Sequence, residues 1–375
     1  MSLEVTPVSS RSDRREFIEL PFRLHANAPQ WIPPLKLERR LFLSPRFNAF
    51  FKHADAQLFV ARRDGRVVGR VSAQIDHAYN DYHGSDWGWF GFLELEEDPE
   101  VMAALLAAAS GWLRERGCDR MVGPADFTMN DEVGVLYEGH EREPMVKQPW
   151  QPPYYQRLCE QAGLQKAVDL WMWELLIADR EKVLPVLVEL AEKLEPEHGI
   201  RIRHMRRRSL RKDLEVFGEI YNDAWKRNWG FVPYSKEDID AYAQELHLVF
   251  DPAWFMVAET KEGKPVAAAI TVPDINQVLK KMKGRLLPLG WWHFLRRRRT
   301  IDRCRVGFLG VKRDYQHTGV AAGLYIEHFD TAEWHRVKWG EMGWILETNT
   351  AMNRGMEAMG GRVVKRYRVY ERSLA

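Results

Sequence analysis

Cysteine is scarce in this chain: its 375 residues include three cysteines, at positions 118, 159 and 304. No two of them have the spacing of a Cys-x-x-Cys motif, which argues against a disulfide framework and against a cysteine-based metal site. The histidines are scattered as well, so no metal site is predicted. Cysteine usage of this kind is typical of a reducing compartment, and we therefore expect a cytoplasmic protein.

Long apolar runs and an excess of one charge are also missing. No run of 18 apolar residues occurs, so no transmembrane helix is predicted, and the first residues lack the apolar segment of a secretory signal. Lys plus Arg number 55 against 53 for Asp plus Glu, a balance that gives no global field for nucleic acid, so no DNA partner is expected. The length and the apolar fraction of 45% indicate a globular protein with more than one domain.

The phosphate-binding motifs of P-loop and Rossmann proteins are absent, and so is a serine nucleophile elbow. The chain does contain a strand, a polar turn and a helix in the stretch 307–325, GFLGVKRDYQHTGVAAGLY. The first amides of a helix lack internal partners, and the helix dipole places partial positive charge beside them. Small residues there would let a pyrophosphate approach the backbone closely. An ordinary strand-to-helix turn is the alternative interpretation.

The order of predicted elements indicates two similar halves. Each half has a strand, a helical segment, a hairpin, a further strand and helix, and then another strand, helix and strand. We predict an α/β protein with one domain over 1–180, a linker helix over 181–199 and a second domain over 200–375. Because the sequence similarity between the halves is slight, an internal duplication rests on element order alone.

The turn in the second half resembles the acyl-CoA loop of the GNAT acyltransferase superfamily. That loop reads Gln or Arg, two residues, Gly, one residue, then Gly or Ala, and QHTGVA at 316–321 fits it between a strand and a helix. The resemblance implies two GNAT-like domains, each a mixed, mostly antiparallel sheet flanked by helices. It also implies that acetyl-CoA or another acyl-CoA is a substrate. The implied cofactor contacts are Leu309, Gly310, Val311, Gln316, Thr318, Gly319, Val320, Ala321, Ala322 and Asn349.

Catalytic groups are less clearly marked. By the resemblance, the amide of Val311 would polarise the thioester carbonyl. The tyrosine that the family often has four residues before a glycine is replaced here by Met356, or by Glu357 if the count starts from Gly361. Glu347 is the candidate base, and the alternative is a structural carboxylate paired with an arginine. For Asn349 the alternative to cofactor contact is a helix cap.

The first half has the same element order but an acidic turn, EEDPE at 96–100, where the acyl-CoA loop would lie. Carboxylates would repel a pyrophosphate, so we interpret this half as a degenerate domain. The pairing of an active with a degenerate domain resembles the Fem family of aminoacyl transferases and N-myristoyltransferase. In those proteins the degenerate half helps to build the acceptor groove.

Two polar and aromatic clusters are candidates for acceptor binding, with core packing and helix capping as the alternatives. They comprise Asn130, Asp131 and Glu132 in the first half and Asn222, Trp225, Asn228 and Trp229 in the second. An insertion at 274–300 carries leucines and tryptophans among cations, and over 280–299 it is a candidate for peripheral membrane contact. Covering a core edge, receiving an acyl chain and packing against a partner subunit are the alternatives.

The sequence therefore predicts an acyl-CoA-dependent N-acyltransferase, and more specifically an N-acetyltransferase, acting on an amine of a small molecule or peptide. One alternative is a Fem-like aminoacyl transferase that uses charged tRNA, which the tandem domains and basic runs favour. The other is a non-catalytic acyl-CoA-binding protein, which the missing tyrosine favours.

Overall fold

The computed structural model describes residues 2–375, apart from the side chains at positions 245 and 248. The chain forms two compact units. Unit 1 comprises Met1–Leu170, Val278–Leu295 and Lys365–Ala375, and unit 2 comprises Trp171–Gln277 and Arg296–Val364. The helix predicted at 181–199 is present and lies in unit 2. The division into domains over 1–180 and 200–375 stays a prediction.

The elements before position 180 follow the predicted order, with two additions that were not predicted, a helix at His77–His83 and a strand at Val135–Glu138. They are β1 (Leu3–Pro7), α1 (Arg11–Leu24), α2 (Lys36–Phe42), β2 (Ala54–Arg63), β3 (Arg66–Asp76), α3 (His77–His83), β4 (Trp87–Leu95), α4 (Pro99–Arg114), β5 (Arg120–Gly123), β6 (Val135–Glu138), α5 (Tyr154–Gln161) and β7 (Gln165–Leu175).

The remaining elements repeat this order with an inserted helical segment. They are α6 (Pro185–His198), β8 (Ile200–His204), α7 (Leu210–Ala224), α8 (Lys236–Val249), β9 (Phe255–Thr260), β10 (Pro265–Pro273), α9 (Asn276–Met282), α10 (Gly290–Leu295), α11 (Arg297–Thr300), β11 (Arg303–Val311), α12 (Val320–Trp334), β12 (Trp339–Leu346), α13 (Thr350–Ala358) and β13 (Arg362–Ser373).

Local sequence accounts for where several helices begin. Ser10 caps α1 and Ser235 caps α8, each in a reciprocal capping box with the aspartate three residues later. Asp98 caps α4 by accepting from the amides of the first turn, and Pro99 occupies the first helical position. The acidic turn at 96–100 thus provides the Asp98 carboxylate that caps α4. At the corresponding position before α12, the second half has Gly319.

Each unit contains a mixed, mostly antiparallel sheet, which confirms the predicted fold class. In unit 1, β1 to β4 are antiparallel neighbours, β5 runs parallel to β4, and the end of β13 pairs antiparallel with β5. In unit 2, β8 to β11 are antiparallel neighbours and β12 runs parallel to β11. Helices cover the sheet of unit 1 on both faces, since one apolar cluster contains α4 and α5 and another contains α1.

Both parallel pairs are short, and both lie beside an irregularity in the neighbouring strand. The β4–β5 pairs run from Trp87–Arg120 to Trp89–Val122, and the register of β3 against β4 shifts between Arg70 and Ser72. The β11–β12 pairs run from Arg303–Trp339 to Val306–Met342, and the register of β10 shifts between Ile270 and Thr271. The sequence Gly-Phe-Leu follows at 91–93 and at 307–309, so the two units repeat in detail at this point.

Gly91 provides a test of this crowded region. A Cβ atom there would lie 1.9 Å from the carbonyl oxygen of Ala125, so Gly91→Ala must displace backbone. We expect a loss of about 3 kcal/mol in the free energy of unfolding, measured by urea denaturation. The control is Gly111→Ala in α4, where nothing lies within 4 Å of the added atom. It should stabilise the protein by about 0.5–1 kcal/mol through helix propensity, and equal effects would contradict this account.

Candidate active site

The loop that the sequence singled out has the predicted form in unit 2. β11 ends at Val311, a 3₁₀ turn spans Arg313–Thr318, and α12 begins at Val320. The amide of Gly323 donates to the carbonyl of Gly319 at 3.1 Å, which is the first bond of the helix. The amides of Val320, Ala321 and Ala322 precede it and have no partner one turn earlier. With the helix dipole, these amides are a candidate site for an anion.

Gly319, at the start of α12, has a backbone conformation and a close neighbour that disfavour any residue with a side chain. Its φ is +78°, in the left-handed region that favours glycine. A Cβ atom there would lie 3.1 Å from Cβ of Leu190 in α6. A Cβ on Gly323 would lie 2.8 Å from Leu194, also in α6. The helix interpreted as a linker therefore packs along the first turns of α12 and supports the loop, which the sequence did not indicate.

The strands beside the loop part beyond Val306 and Met342, where their pairing ends. The carbonyl of Gly343 in β12 accepts from the Arg305 guanidinium at 3.1 and 3.2 Å. The amide of Lys312 donates to Val266 of β10 at 2.8 Å. Because backbone groups alternate in direction along a strand, those of Leu309 and Val311 point away from β10, toward the side on which β12 has separated. These are the groups expected to contact pantetheine.

A small apolar cavity of about 20 Å³ lies in unit 2 at the point where the parallel pairing ends. Its lining includes Val306 of β11, Met342 of β12, and Tyr325 and Phe329 of α12, with Met359 after α13. Methionine side chains adapt readily to what they pack against. A volume of about 20 Å³ has room for about one water molecule, so an apolar chain could enter here only if the lining side chains moved.

Asn349 and Glu347 lie where β12 leads into α13. The Asn349 side chain accepts from the amide of Met352 at 3.2 Å, so the helix-capping interpretation applies to it. Glu347 is half-buried, and its backbone carbonyl accepts from the side-chain amide of Asn353 at 3.4 Å. The cofactor role of Asn349 and the catalytic role of Glu347 stay predictions.

A tyrosine does reach α13, although it comes from a different helix than the sequence suggested. The hydroxyl of Tyr325 in α12 lies 3.5 Å from the sulfur of Met352, and a Cβ on Gly355 would lie 3.4 Å from it. Burial raises the pKa of Tyr325 to about 12, so the hydroxyl stays protonated at neutral pH. The sequence does not mark Tyr325 as a candidate, because the tyrosine that the family often has lies on the helix that corresponds to α13.

Of the predicted acceptor residues of unit 2, Asn222 and Asn228 hydrogen-bond to the backbone of the loop after α7, and Trp225 covers part of β11. Asn222 holds the backbone of Tyr234 through two hydrogen bonds, of 2.9 and 3.2 Å, and the carbonyl of Asn228 accepts from Phe231 at 3.2 Å. Trp225 follows α7, and a Cβ on Gly310 would lie 2.0 Å from its ring, so the indole covers β11. Trp229 is half-buried in the same loop. Acceptor binding by these residues stays a prediction.

Aromatic rings surround Phe308 on the same face of β11. The centroids of Phe217, Tyr221, Tyr242 and Trp225 lie between 5.2 and 6.2 Å from that of Phe308. Such rings provide a large apolar surface with few polar groups. Phe217 and Tyr221 are buried, so these rings form part of the core of unit 2.

Unit 1 contains a cluster of ionisable groups that the sequence analysis largely missed. Its members are His25, Arg39, Arg70, Glu94, Asp126, Glu132 and Tyr155. The Glu94 carboxylate accepts from the Tyr155 hydroxyl at 2.7 Å and lies 2.8 Å from Nε2 of His25. Arg70 is 8% exposed, and its Nε has no hydrogen-bond partner among the described residues, so a buried donor remains available here.

Asp126 and Glu132 are the members of this cluster whose ionisation is disfavoured by their surroundings. Burial and the neighbouring Glu132 charge raise the pKa of Asp126, and burial also raises the pKa of Glu132. The Asp126 carboxylate accepts from the amide of Phe92 at 2.7 Å. Phe92 and Phe127 have φ values of +49° and +77°. Strained residues and perturbed carboxylates gather at functional sites, so this cluster is a second candidate site.

The predicted residues of unit 1 contribute only in part to this cluster. Glu132 belongs to it, and Nη1 of Arg39 lies 3.8 Å from its carboxylate. Asp131 instead accepts from the Thr128 hydroxyl at 2.8 Å and lies 3.4 Å from Nζ of Lys147. The amide of Asn130 donates to the Thr128 hydroxyl at 3.2 Å, so Asn130 belongs to the same turn. Substrate contacts by Asn130 and Asp131 stay predictions.

No group of three or more His, Cys, Asp or Glu side chains among the described residues is arranged to hold a metal ion. No helix in residues 2–375 combines the length and apolar character needed to cross a bilayer.

Comparison with solved structures identifies the class of fold. The chain matches a tandem GNAT protein from the clavulanic acid biosynthesis pathway with a TM-score of 0.60 and 13% identity, over 100% of this chain and 99% of that one. The protein thus has a tandem GNAT fold, as the acyl-CoA loop implied. No protein-family model matches the chain.

Comparison with curated proteins identifies the particular family. The chain is 35% identical to the bacterial ceramide synthase of Caulobacter vibrioides, over 99% of this chain and 98% of that protein. It is 34% identical to protein YghO of Escherichia coli, over 97% of this chain and 94% of that protein. The chain belongs to the family of these two proteins.

Proposed function

We propose that the protein is an acyl-CoA-dependent N-acyltransferase that joins a fatty acyl group to the amine of a long-chain amino alcohol. The observation that carries the proposal is the anion site at the start of α12, beside strands that part at Val306 and Met342. The relative named as a ceramide synthase indicates the acceptor, because a ceramide is the amide of a fatty acid with a long-chain amino alcohol. The name of that relative also favours a long acyl chain over an acetyl group.

The cofactor would lie along the loop and β11. The amides from Thr318 to Ala322 would bind the pyrophosphate, and the Leu309 and Val311 backbone would bind pantetheine. The Val311 amide would stabilise the developing oxyanion on the thioester carbonyl. The acyl chain would extend past Met342, and the side chains that line the small cavity there would have to move to make room for it.

The reaction would be a direct transfer. The amine nitrogen forms a bond to the thioester carbon, the carbon–sulfur bond breaks, and the proton lost by nitrogen passes to Glu347 directly or through water. The CoA thiolate leaves and takes up a proton from solvent. The Tyr325 hydroxyl would donate a hydrogen bond to the leaving sulfur without losing its proton, because its pKa is raised to about 12.

The cluster of unit 1 is proposed as a separate site of that unit. The Glu94 carboxylate and the unpartnered Nε of Arg70 suit a polar ligand group.

The proposal is tested by supplying acetyl-CoA or palmitoyl-CoA with sphinganine, ethanolamine or a short peptide, and measuring amide product by mass spectrometry and free CoA thiol. We expect product with the long-chain pair, unaffected by ribonuclease. Tyr325→Phe should lower turnover by about ten-fold or more, since it removes one hydrogen bond to the transition state, while leaving CoA affinity unchanged. No amide from any pair, or activity that needs aminoacyl-tRNA, would overturn the proposal.

A further inference from the structure

The insertion between β10 and β11 is a fixed part of unit 1 over Val278–Leu295. Val278 and Met282 of α9 are buried, and the carbonyl of Gly284 accepts from the Lys36 amide at 3.2 Å. A Cβ on Gly284 would lie 2.4 Å from the ring of Phe22 in α1. One face of this insertion is therefore held closely against unit 1, and the conformation of its other face is determined by that packing.

The other face is apolar and exposed. Six large apolar side chains within ten residues are each between 39% and 71% exposed. They are Leu286, Leu287, Leu289, Trp291, Trp292 and Leu295. Single exposed leucines are ordinary on a soluble protein, but a contiguous group of this kind marks a surface that contacts something else. We call residues 285–295 the apolar face.

The segment that carries the apolar face contains charges of one sign. Residues 276–301 contain no Asp or Glu, and Lys281, Lys283 and Arg285 lie at or just before the start of the face. Lys280 is not counted among these cations, because its Nζ lies 2.5 Å from a carboxylate oxygen of Glu143. Lys281, Lys283 and Arg285 are exposed. The chain then continues directly into four arginines at 296–299. A second copy of this chain would bring like charges together, whereas an anionic surface would be attracted.

We propose that the apolar face docks onto an anionic lipid bilayer. Leucines would enter the boundary between headgroups and acyl chains, tryptophans would lie at that boundary, and the cations would contact anionic headgroups. The proposal stands on surface chemistry alone and does not require acyl transfer. If both hold, docking would bring the protein to the surface in which long-chain amines reside.

The test is sedimentation of the full chain with vesicles of phosphatidylcholine alone or mixed with phosphatidylglycerol. We expect binding to the mixed vesicles, weakened by high salt. Leu287→Ser/Leu289→Ser should lower binding about ten-fold or more, and Lys281→Gln/Lys283→Gln/Arg285→Gln should lower it on anionic vesicles. The matched control is Leu37→Ser/Leu41→Ser, at two exposed leucines of α2.

The proposal would be overturned if the wild-type protein did not bind anionic vesicles at low salt, or if the α2 control lost binding to the same extent. It would also be overturned if the protein were a dimer in solution and Leu287→Ser/Leu289→Ser dissociated the dimer without changing vesicle binding. Stabilisation by CoA is measured on the same variants. It should be unchanged, so failure of membrane docking and failure of the proposed function are separable.

Discussion

Ala321→Glu should abolish the stabilisation of the protein by CoA. Ala321 is the second residue of α12 and is half-buried beside the amides that precede the first helical bond. A carboxylate there would occupy the space for the pyrophosphate and repel its charge. The wild-type protein at a hundred-fold excess of CoA over its dissociation constant should gain about 2.7 kcal/mol, an increase of several degrees in Tm.

The matched control is Ala103→Glu in α4 of unit 1. Ala103 is exposed in the second turn of α4, and Asp98 already caps that helix. The control should show the full shift with CoA. Loss of the shift in both variants would point to general destabilisation, and retention in both would contradict CoA binding at α12.

Asp126→Asn should stabilise the protein. The asparagine oxygen can still accept from the Phe92 amide, but the carboxyl beside Glu132 can no longer ionise. The pKa of Asp126 is raised above 3.8 in the folded state, so ionisation destabilises the fold increasingly as pH rises from about 4. The gain in Tm from the substitution should be small near pH 4 and largest at alkaline pH. Stabilisation by CoA should be unchanged.

Asp169→Asn is the contrasting control in the same unit. Although burial opposes it, hydrogen bonds from Arg368 and Lys166 hold the pKa of Asp169 below its usual value. Its contribution to stability is therefore present at neutral pH and lost as pH falls through the folded pKa. The control should lower Tm at neutral pH, with an effect that fades in acid. If Asp126→Asn behaved in the same way, Asp126 would be a structural carboxylate.

Local sequence pattern was sufficient to predict most helices and strands and the loop between β11 and α12. The apolar strand ending at Val311, the glycine at 319 and the small residues after it are contiguous, so the loop could be predicted from sequence. The mixed sheets were implied by the resemblance of that loop to the acyl-CoA loop of the GNAT superfamily. In each case the signal lies within about one strand and one helix.

The remaining features depend on residues that only the fold brings together. Glu94 meets His25 across 69 positions of sequence, and Tyr325 reaches Met352 on a neighbouring helix. Leu190 packs at Gly319 although nothing in its own neighbourhood predicts that contact. One usable signal was overlooked, namely the Gly-Phe-Leu shared by β4 and β11, which places Glu94 at the position of Gly310.

Hydrogen–deuterium exchange with and without CoA tests most directly which unit binds the cofactor. The account predicts protection of the amides at 318–322 in unit 2 on addition of CoA, because those groups would bond to the pyrophosphate. The corresponding helix start at 98–103 in unit 1 should exchange at an unchanged rate. Protection at 98–103 without protection at 318–322, or protection at neither, would contradict the claim that α12 begins the acyl-CoA site.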